Sequence, residues 1–197
     1  MNKRHLLRSL AVAGVAALLT AVTPSASAQA ALPLYEPFNY TLGNLLPNGG
    51  WNQTGGNASG PVQVVANSLA YAGLPTPVGG KVTVLNGAGF EDPGLDFVGV
   101  TGAGNSVFFS AIVNVKSEGS VAAGDYILHV SSAGTGSTDY RSRVFIKPGS
   151  SAGNYNLGIR NGSADVVQYG GDLPVGTPVF VVVSYDIVDG TVNDVSR

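Results

Sequence analysis

The sequence predicts an all-β fold, an antiparallel β-sandwich, and three observations lead to it. Glycine makes up 28 of 197 residues, about twice the usual ~7%, and it lacks the strict period of collagen. Charged residues are only 11% of the chain, against roughly 25% in ordinary domains. Helices lean on Glu, Lys and Arg, whereas strands joined by turns do not. Short apolar runs recur between turn signals, and no helical pattern outlasts a turn or two after the first 28 residues.

Those first residues read as an export signal. Lys3, Arg4, His5 and Arg8 form a positively charged start, and Ser9 to Val22 is almost entirely Leu, Ala and Val. Pro24 breaks any helix, and Ala26-Ser27-Ala28 supplies the small-x-small pattern that a signal peptidase needs. Ala28-Gln29-Ala30 is a second acceptable site. The apolar run is about 14 residues, short of the ~20 that span a bilayer, so a retained anchor is the lesser alternative. The expected location is secreted or cell-surface after cleavage near Ala28. Later apolar runs are shorter still, as in Val179–Val183, so no membrane span is expected in the mature chain.

Residues 29–197 keep all twelve carboxylates and seven of the ten Lys and Arg, a net charge of −5. Nucleic acid, which asks for a basic face, is not an expected partner. The absence of cysteine rules out a disulfide framework and Cys-based metal or nucleophile chemistry. A chain of this size can bury enough apolar surface without such staples.

Two segments follow the signal. Residues 29–60 form an irregular opening segment around Trp51, with Pro37, Pro47, Gly49-Gly50 and Gly55-Gly56. Residues 61–197 carry the sandwich. Its expected strands are Val62–Ala66, Ser68–Tyr71, Lys81–Leu85, Leu95–Val100, Ser106–Val115, Asp125–Ser131, Arg141–Lys147, Tyr155–Arg160, Asp165–Tyr169 and Pro178–Val188. Connectors such as Asn86-Gly87, Ala133–Ser137, Asn161-Gly162 and Gly170-Gly171 supply turn residues.

Three successive strands share one alternation. Tyr126, Leu128 and Val130, then Val144 and Ile146, then Tyr155, Leu157 and Ile159 are expected in the core. The opposite face then carries Asp125, Ile127 and His129, next Arg141, Arg143, Phe145 and Lys147, then Asn154, Asn156 and Arg160.

Several short motifs give the chain a family likeness. Leu34-Tyr35-Glu36-Pro37-Phe38-Asn39-Tyr40, Asn48-Gly49-Gly50-Trp51, Ser68–Leu74, Phe108-Phe109-Ser110, Asn156-Leu157-Gly158-Ile159, Val181–Tyr185 and Asn193-Asp194 span nearly all of the mature chain. They resemble bacterial secreted modules of the concanavalin A-like lectin/glucanase superfamily, including laminin-G-like modules. The resemblance implies a jelly-roll sandwich within a larger surface protein. In look-alikes another strand follows the Asn-Asp turn, but here the chain stops at Asp194-Val195-Ser196-Arg197. Pro178–Val188 and Asp189-Gly190 read as the first half of a hairpin whose return would be about three residues, below the usual range. The expectation is a sandwich incomplete at its C-terminus, with further domains beyond residue 197.

Chemistry is sparse. Glycosidases of the resembled superfamily place paired carboxylates on one strand, whereas Glu36, Glu91 and Glu118 are isolated. Glu91-Asp92-Pro93-Gly94 reads as a turn whose carboxylates diverge. His129, the one histidine after the signal, could be set beside Asp125, but no Gly-x-Ser-x-Gly elbow accompanies it. Polysaccharide lyases of that superfamily use His, Arg and Tyr, which His129, Tyr140, Arg141 and Arg143 could mimic; the plainer reading is a solvated sheet. Asp186, Asp189, Asn193 and Asp194 could hold Ca²⁺ through hard oxygen ligands, although a solvated turn is the plainer reading and no cofactor is required. The family likeness favours packing for Trp51, with stacking on a sugar ring as the lesser alternative.

The expected function is an exported, non-catalytic module that binds a polysaccharide or glycan on the face formed by His129, Arg141, Arg143, Phe145, Asn156 and Arg160. The alternatives are a structural spacer in a cell-surface adhesin and, third, a polysaccharide-active enzyme.

Overall fold

The computed structural model describes residues 29–55, 59–85, 90–118, 121–131, 139–162, 165–190 and 194–197. The expected signal over residues 1–28 and the connectors Asn86-Gly87 and Ala133–Ser137 lie outside them. The fold is all-β and its strand ladders are antiparallel. The twelve strands are β1 (Gly43–Asn44), β2 (Asn52–Gly55), β3 (Gln63–Val65), β4 (Lys81–Thr83), β5 (Asp92–Gly94), β6 (Ser106–Val113), β7 (Asp125–Ser131), β8 (Tyr140–Pro148), β9 (Asn154–Arg160), β10 (Gln168–Pro174), β11 (Val179–Asp186) and β12 (Val195–Ser196).

Two larger sheets make the sandwich. One is the meander β7-β8-β9-β10; the other has the order β6-β11-β12. The chain crosses between them from β6 to β7 and returns from β10 to β11. Val144, Leu157 and Ile159 of the first line one cleft with Val181 and Val183 of the second. Val115, Ile146 and Tyr155 are buried together, with Val113, Ile127, Leu157, Leu173 and Val175 packed around them. The β6–β11 ladder is in register over its full length, from Val179 opposite Val113 to Asp186 opposite Ser106. The expected short return strand forms: Val195 and Ser196 pair with Asp186 and Tyr185, and Arg197 exchanges backbone hydrogen bonds with Ser184 at 2.9 and 3.1 Å.

The opening segment is less irregular than its Pro and Gly content suggests. It contributes β1 to the sheet β1-β3-β4 and β2 to the ribbon β2-β5. Leu45, Val62 and Val64 form a second small core, against which Phe38, Tyr40, Trp51 and Val82 pack. Glu36 organises this corner by accepting hydrogen bonds from the Phe38 amide at 2.7 Å, the Tyr40 hydroxyl at 2.7 Å and Trp51 Nε1 at 3.0 Å. Trp51 also stacks on Phe38, with ring centroids 6.0 Å apart. Packing is therefore its role here.

Three expectations shift. Ser68–Tyr71 and Leu95–Val100 form no strand, although Phe97 makes an isolated bridge to Ala30. Asp92–Gly94, expected as a turn, is β5, and the neighbouring Glu91 is buried with Oε2 accepting the Val62 amide at 2.9 Å. Gly170 and Gly171, expected as a turn, sit inside β10 as a bulge between Tyr169 and Asp172. Glycine suits a bulge as well as a turn because it bends the backbone at low steric cost.

Candidate functional site

The polar face of the meander is built by register. Arg143 lies opposite Arg160, Phe145 opposite Gly158, and Lys147 opposite Asn156 across β8 and β9. Tyr126 of β7 lies opposite Phe145, and Tyr169 of β10 opposite Gly158. Directly paired residues share a face, so one row runs Tyr126, Phe145, Gly158, Tyr169. Gly158 is required there, since a Cβ would come within 2.6 Å of the Tyr169 ring.

Two bulges set the left end of this face. Between Tyr126 and Leu128 the ladder gains a residue on β7; between Val130 and Leu128 it gains one on β8. Tyr126, expected in the core, joins the polar face, while Ile127, expected outside, packs into the main core. On β8 the extra length is taken up at Ser142, which adopts a left-handed φ of 44° and is fully buried. Such a φ is uncommon for a non-glycine residue and fits a bulge that turns the strand.

The bulge removes Arg141 from the expected cluster. Its guanidinium forms an ion pair with Asp139, and Arg141 pairs with Val130 across β7 and β8. Of the other five expected residues, His129, Arg143, Phe145 and Arg160 converge, while Asn156 lies towards the opposite end of the face. Arg143 is only 5% exposed, and its guanidinium carbon sits 5.7, 5.1 and 5.6 Å from the ring centroids of Tyr126, Tyr140 and Phe145. Arg160 approaches the Phe145 ring at 4.8 Å. His129 meets Tyr126 and Tyr140 edge-on at 5.5 and 5.0 Å. Phe145 is likewise 5% exposed, so it supports two cations and offers no free ring face to a ligand. Asn156 is spent on Asp172, donating from Nδ2 at 2.8 Å.

The two ends of the face differ in charge balance. At one end Asp172 accepts from Ser150 and Asn156, and these bonds, those from Ser150 foremost, hold its carboxyl below the usual range. Lys147 lies nearby, over the Tyr169 ring at 4.1 Å. At the other end Arg143 donates to the Gly162 carbonyl at 3.1 Å, but its Nε and the Nε of Arg160 are enclosed without partners. Among the described residues, the ion pairs are Arg141–Asp139 and Arg197–Asp186, so neither Arg143 nor Arg160 has a carboxylate partner. Burial, and then the adjacent Arg160, lower the Arg143 pKa, although guanidinium remains charged.

Burial also governs the neighbours. It pushes the Tyr126 hydroxyl up, helped by Asp92 and by a hydrogen bond with Tyr140. It raises the Asp92 carboxyl and lowers the His129 imidazole, whose Nδ1 lies 3.1 Å from the Val130 carbonyl. Tyr126, Tyr140, Tyr169 and Asp92 were not among the expected site residues. Tyr140 stood out in the sequence only beside the arginines; the others needed the register to be seen.

The acidic turn is occupied with the protein's own groups. Asp186 pairs with Arg197 and accepts from Ser106 Oγ at 2.7 Å. Asp194 accepts the Tyr185 hydroxyl, and its Oδ1 takes the Val188 amide at 2.9 Å. Asp189 lines a cleft with Asn105, Ser106 and Asp186, and Asn193 lies outside the described residues. Among the described residues, no three His, Asp or Glu side chains converge as metal ligands, and no helix is long and apolar enough to cross a membrane.

No protein-family model, curated protein or solved structure matches this chain.

Proposed function

We propose that the protein is an exported, non-catalytic binding module that takes a glycan on the polar face of β7–β10, at the Arg143–Arg160 end. One observation carries the reading: two cross-strand arginines, set among Phe145, Tyr126 and Tyr140, have no carboxylate partner among the described residues. Guanidinium forks on a rigid sheet suit hydroxyl and carboxylate recognition, because little side-chain freedom is lost on binding. A non-catalytic role fits the position of His129, packed edge-on between two tyrosines with Nδ1 turned to the Val130 carbonyl. The likeness to lectin-type modules points the same way, as does the signal-like N-terminus.

A glycan array probed with the exported full chain tests this. Binding that Arg160→Ala weakens, with the thermal transition unchanged, supports the reading. A folded chain that binds no glycan overturns it in favour of a structural spacer.

A further inference from the structure

The Arg143–Arg160 pair poses a charge problem that the fold leaves open. Like charges on directly opposed positions of an antiparallel ladder repel, and enclosing a cation without a counter-ion is unfavourable. The chain has ample means to neutralise them, since residues 29–197 carry twelve carboxylates against seven Lys and Arg. Elsewhere it does so: Asp139 serves Arg141, and Asp186 serves Arg197. At this one end the partners are instead three aromatic rings and the Gly162 carbonyl. Rings stabilise the flat face of a guanidinium without using its in-plane N–H groups, of which Arg143 spends one on the Gly162 carbonyl. Among the described residues, both Nε atoms are enclosed without an acceptor, and Arg160 is held by its contact with the Phe145 ring.

We infer that Arg143 and Arg160 form an oxyanion subsite that receives a carboxylate or sulfate group of an acidic glycan. A planar or tetrahedral oxyanion matches the guanidinium fork in a way that a neutral hydroxyl does not. Arg143 is the fixed member, caged by Tyr126, Tyr140 and Phe145 and anchored on Gly162. Arg160, half-buried above Phe145, is the member that meets the ligand. The negative charge of the whole chain opposes unspecific binding of polyanions, so selectivity has to come from this local pair. The inference deepens the glycan reading and rests on it for the polymer, while the anion chemistry stands on the arginines alone.

Two measurements separate these layers. The first follows the thermal transition of the full chain as chloride is replaced by sulfate, and separately by glucuronate, at constant ionic strength. Either anion is expected to raise the transition, Arg160→Gln to reduce that rise at least threefold, and Lys116→Gln, an exposed control, to keep it. Arg160→Lys, which retains the charge but loses the fork, is expected to fall between and serves if Arg160→Gln does not fold. No rise in the unaltered chain, or an undiminished rise in Arg160→Gln, overturns the subsite.

The second measures binding to a polyuronate, a sulfated polysaccharide and neutral dextran. A preference of at least tenfold for one acidic polymer supports the inference and identifies which oxyanion is the source. Equal binding to neutral dextran overturns it but keeps the glycan reading. Anion stabilisation with no polymer bound keeps the subsite and overturns the glycan reading.

Discussion

Ser142 Oγ and Ser196 Oγ lie 2.7 Å apart, joining the β8 bulge of one sheet to β12 of the other. Ser142 is fully buried, so its hydroxyl has no water to fall back on. Ser142→Ala is expected to cost about 1 kcal/mol, the usual net worth of such a bond. Ser142→Gly is expected to cost less, because glycine relieves the left-handed φ while the same bond is lost. Ser142→Val should be the worst of the three, since a β-branched residue at that φ is strained. Urea unfolding of the set checks the order.

Glu36 is the hub of the opening segment, so Glu36→Ala should loosen a whole corner rather than a single contact. Three donors lose one charged acceptor, and a loss of about 2 kcal/mol is expected. Trp51 is the sole tryptophan, which makes its emission a local reporter of the loss. Tyr40 is pushed up to about 12 by burial first and by Glu36 second. Its contribution to stability is therefore present below its ordinary value of 10.0 and disappears as pH rises towards 12. Absorbance titration of Glu36→Ala should show Tyr40 ionising at lower pH; an unchanged curve would contradict the assignment.

Asp194 and Tyr185 fasten the short return strand. The Tyr185 hydrogen bond, then the Val188 amide, hold the Asp194 carboxyl below its usual range. A depressed carboxylate stabilises the fold above the unfolded value of 3.8, and that benefit fades as pH falls below it. Asp194→Ala should cost about 1 kcal/mol at neutral pH and flatten the acid limb of the stability curve. Tyr185, raised to about 12 by burial and then by Asp194, should titrate earlier in the variant but stay above 10, because burial remains.

His129 should make the aromatic cage sensitive to mild acid. Burial, opposed by the Val130 carbonyl and seconded by Arg143, lowers its pKa from 6.5, with Asp92 pulling the other way. A lowered histidine favours the neutral ring in the folded state, so its contribution is full above 6.5 and is lost as pH falls through the folded value. The thermal transition should drop between pH 7 and 5 more steeply in the natural chain than in His129→Phe. Equal slopes would show that the ring takes up its proton alike in the folded and unfolded chain, contradicting the assignment.

Much of this architecture is legible in the residues themselves. The strands Asp125–Ser131 and Tyr155–Arg160 lie where alternation and turn residues place them, because side-chain period is a local property of extended chain. The same alternation on β8 and β9 was enough to put Arg143, Phe145, Asn156 and Arg160 on one face. What only the tertiary structure decided is the pairing across strands. The bulges at Ile127 and Ser142 carry no glycine to announce them, yet they turn Tyr126 outward, Ile127 inward and Arg141 away from Arg143. A one-residue slip reverses every later side chain, and that slip depends on two strands together. Register likewise set Arg143 against Arg160, gave Asn156 to Asp172, and covered Phe145 with cations. Alternation within one strand determined which residues share a face; the offset between strands decided which of them meet.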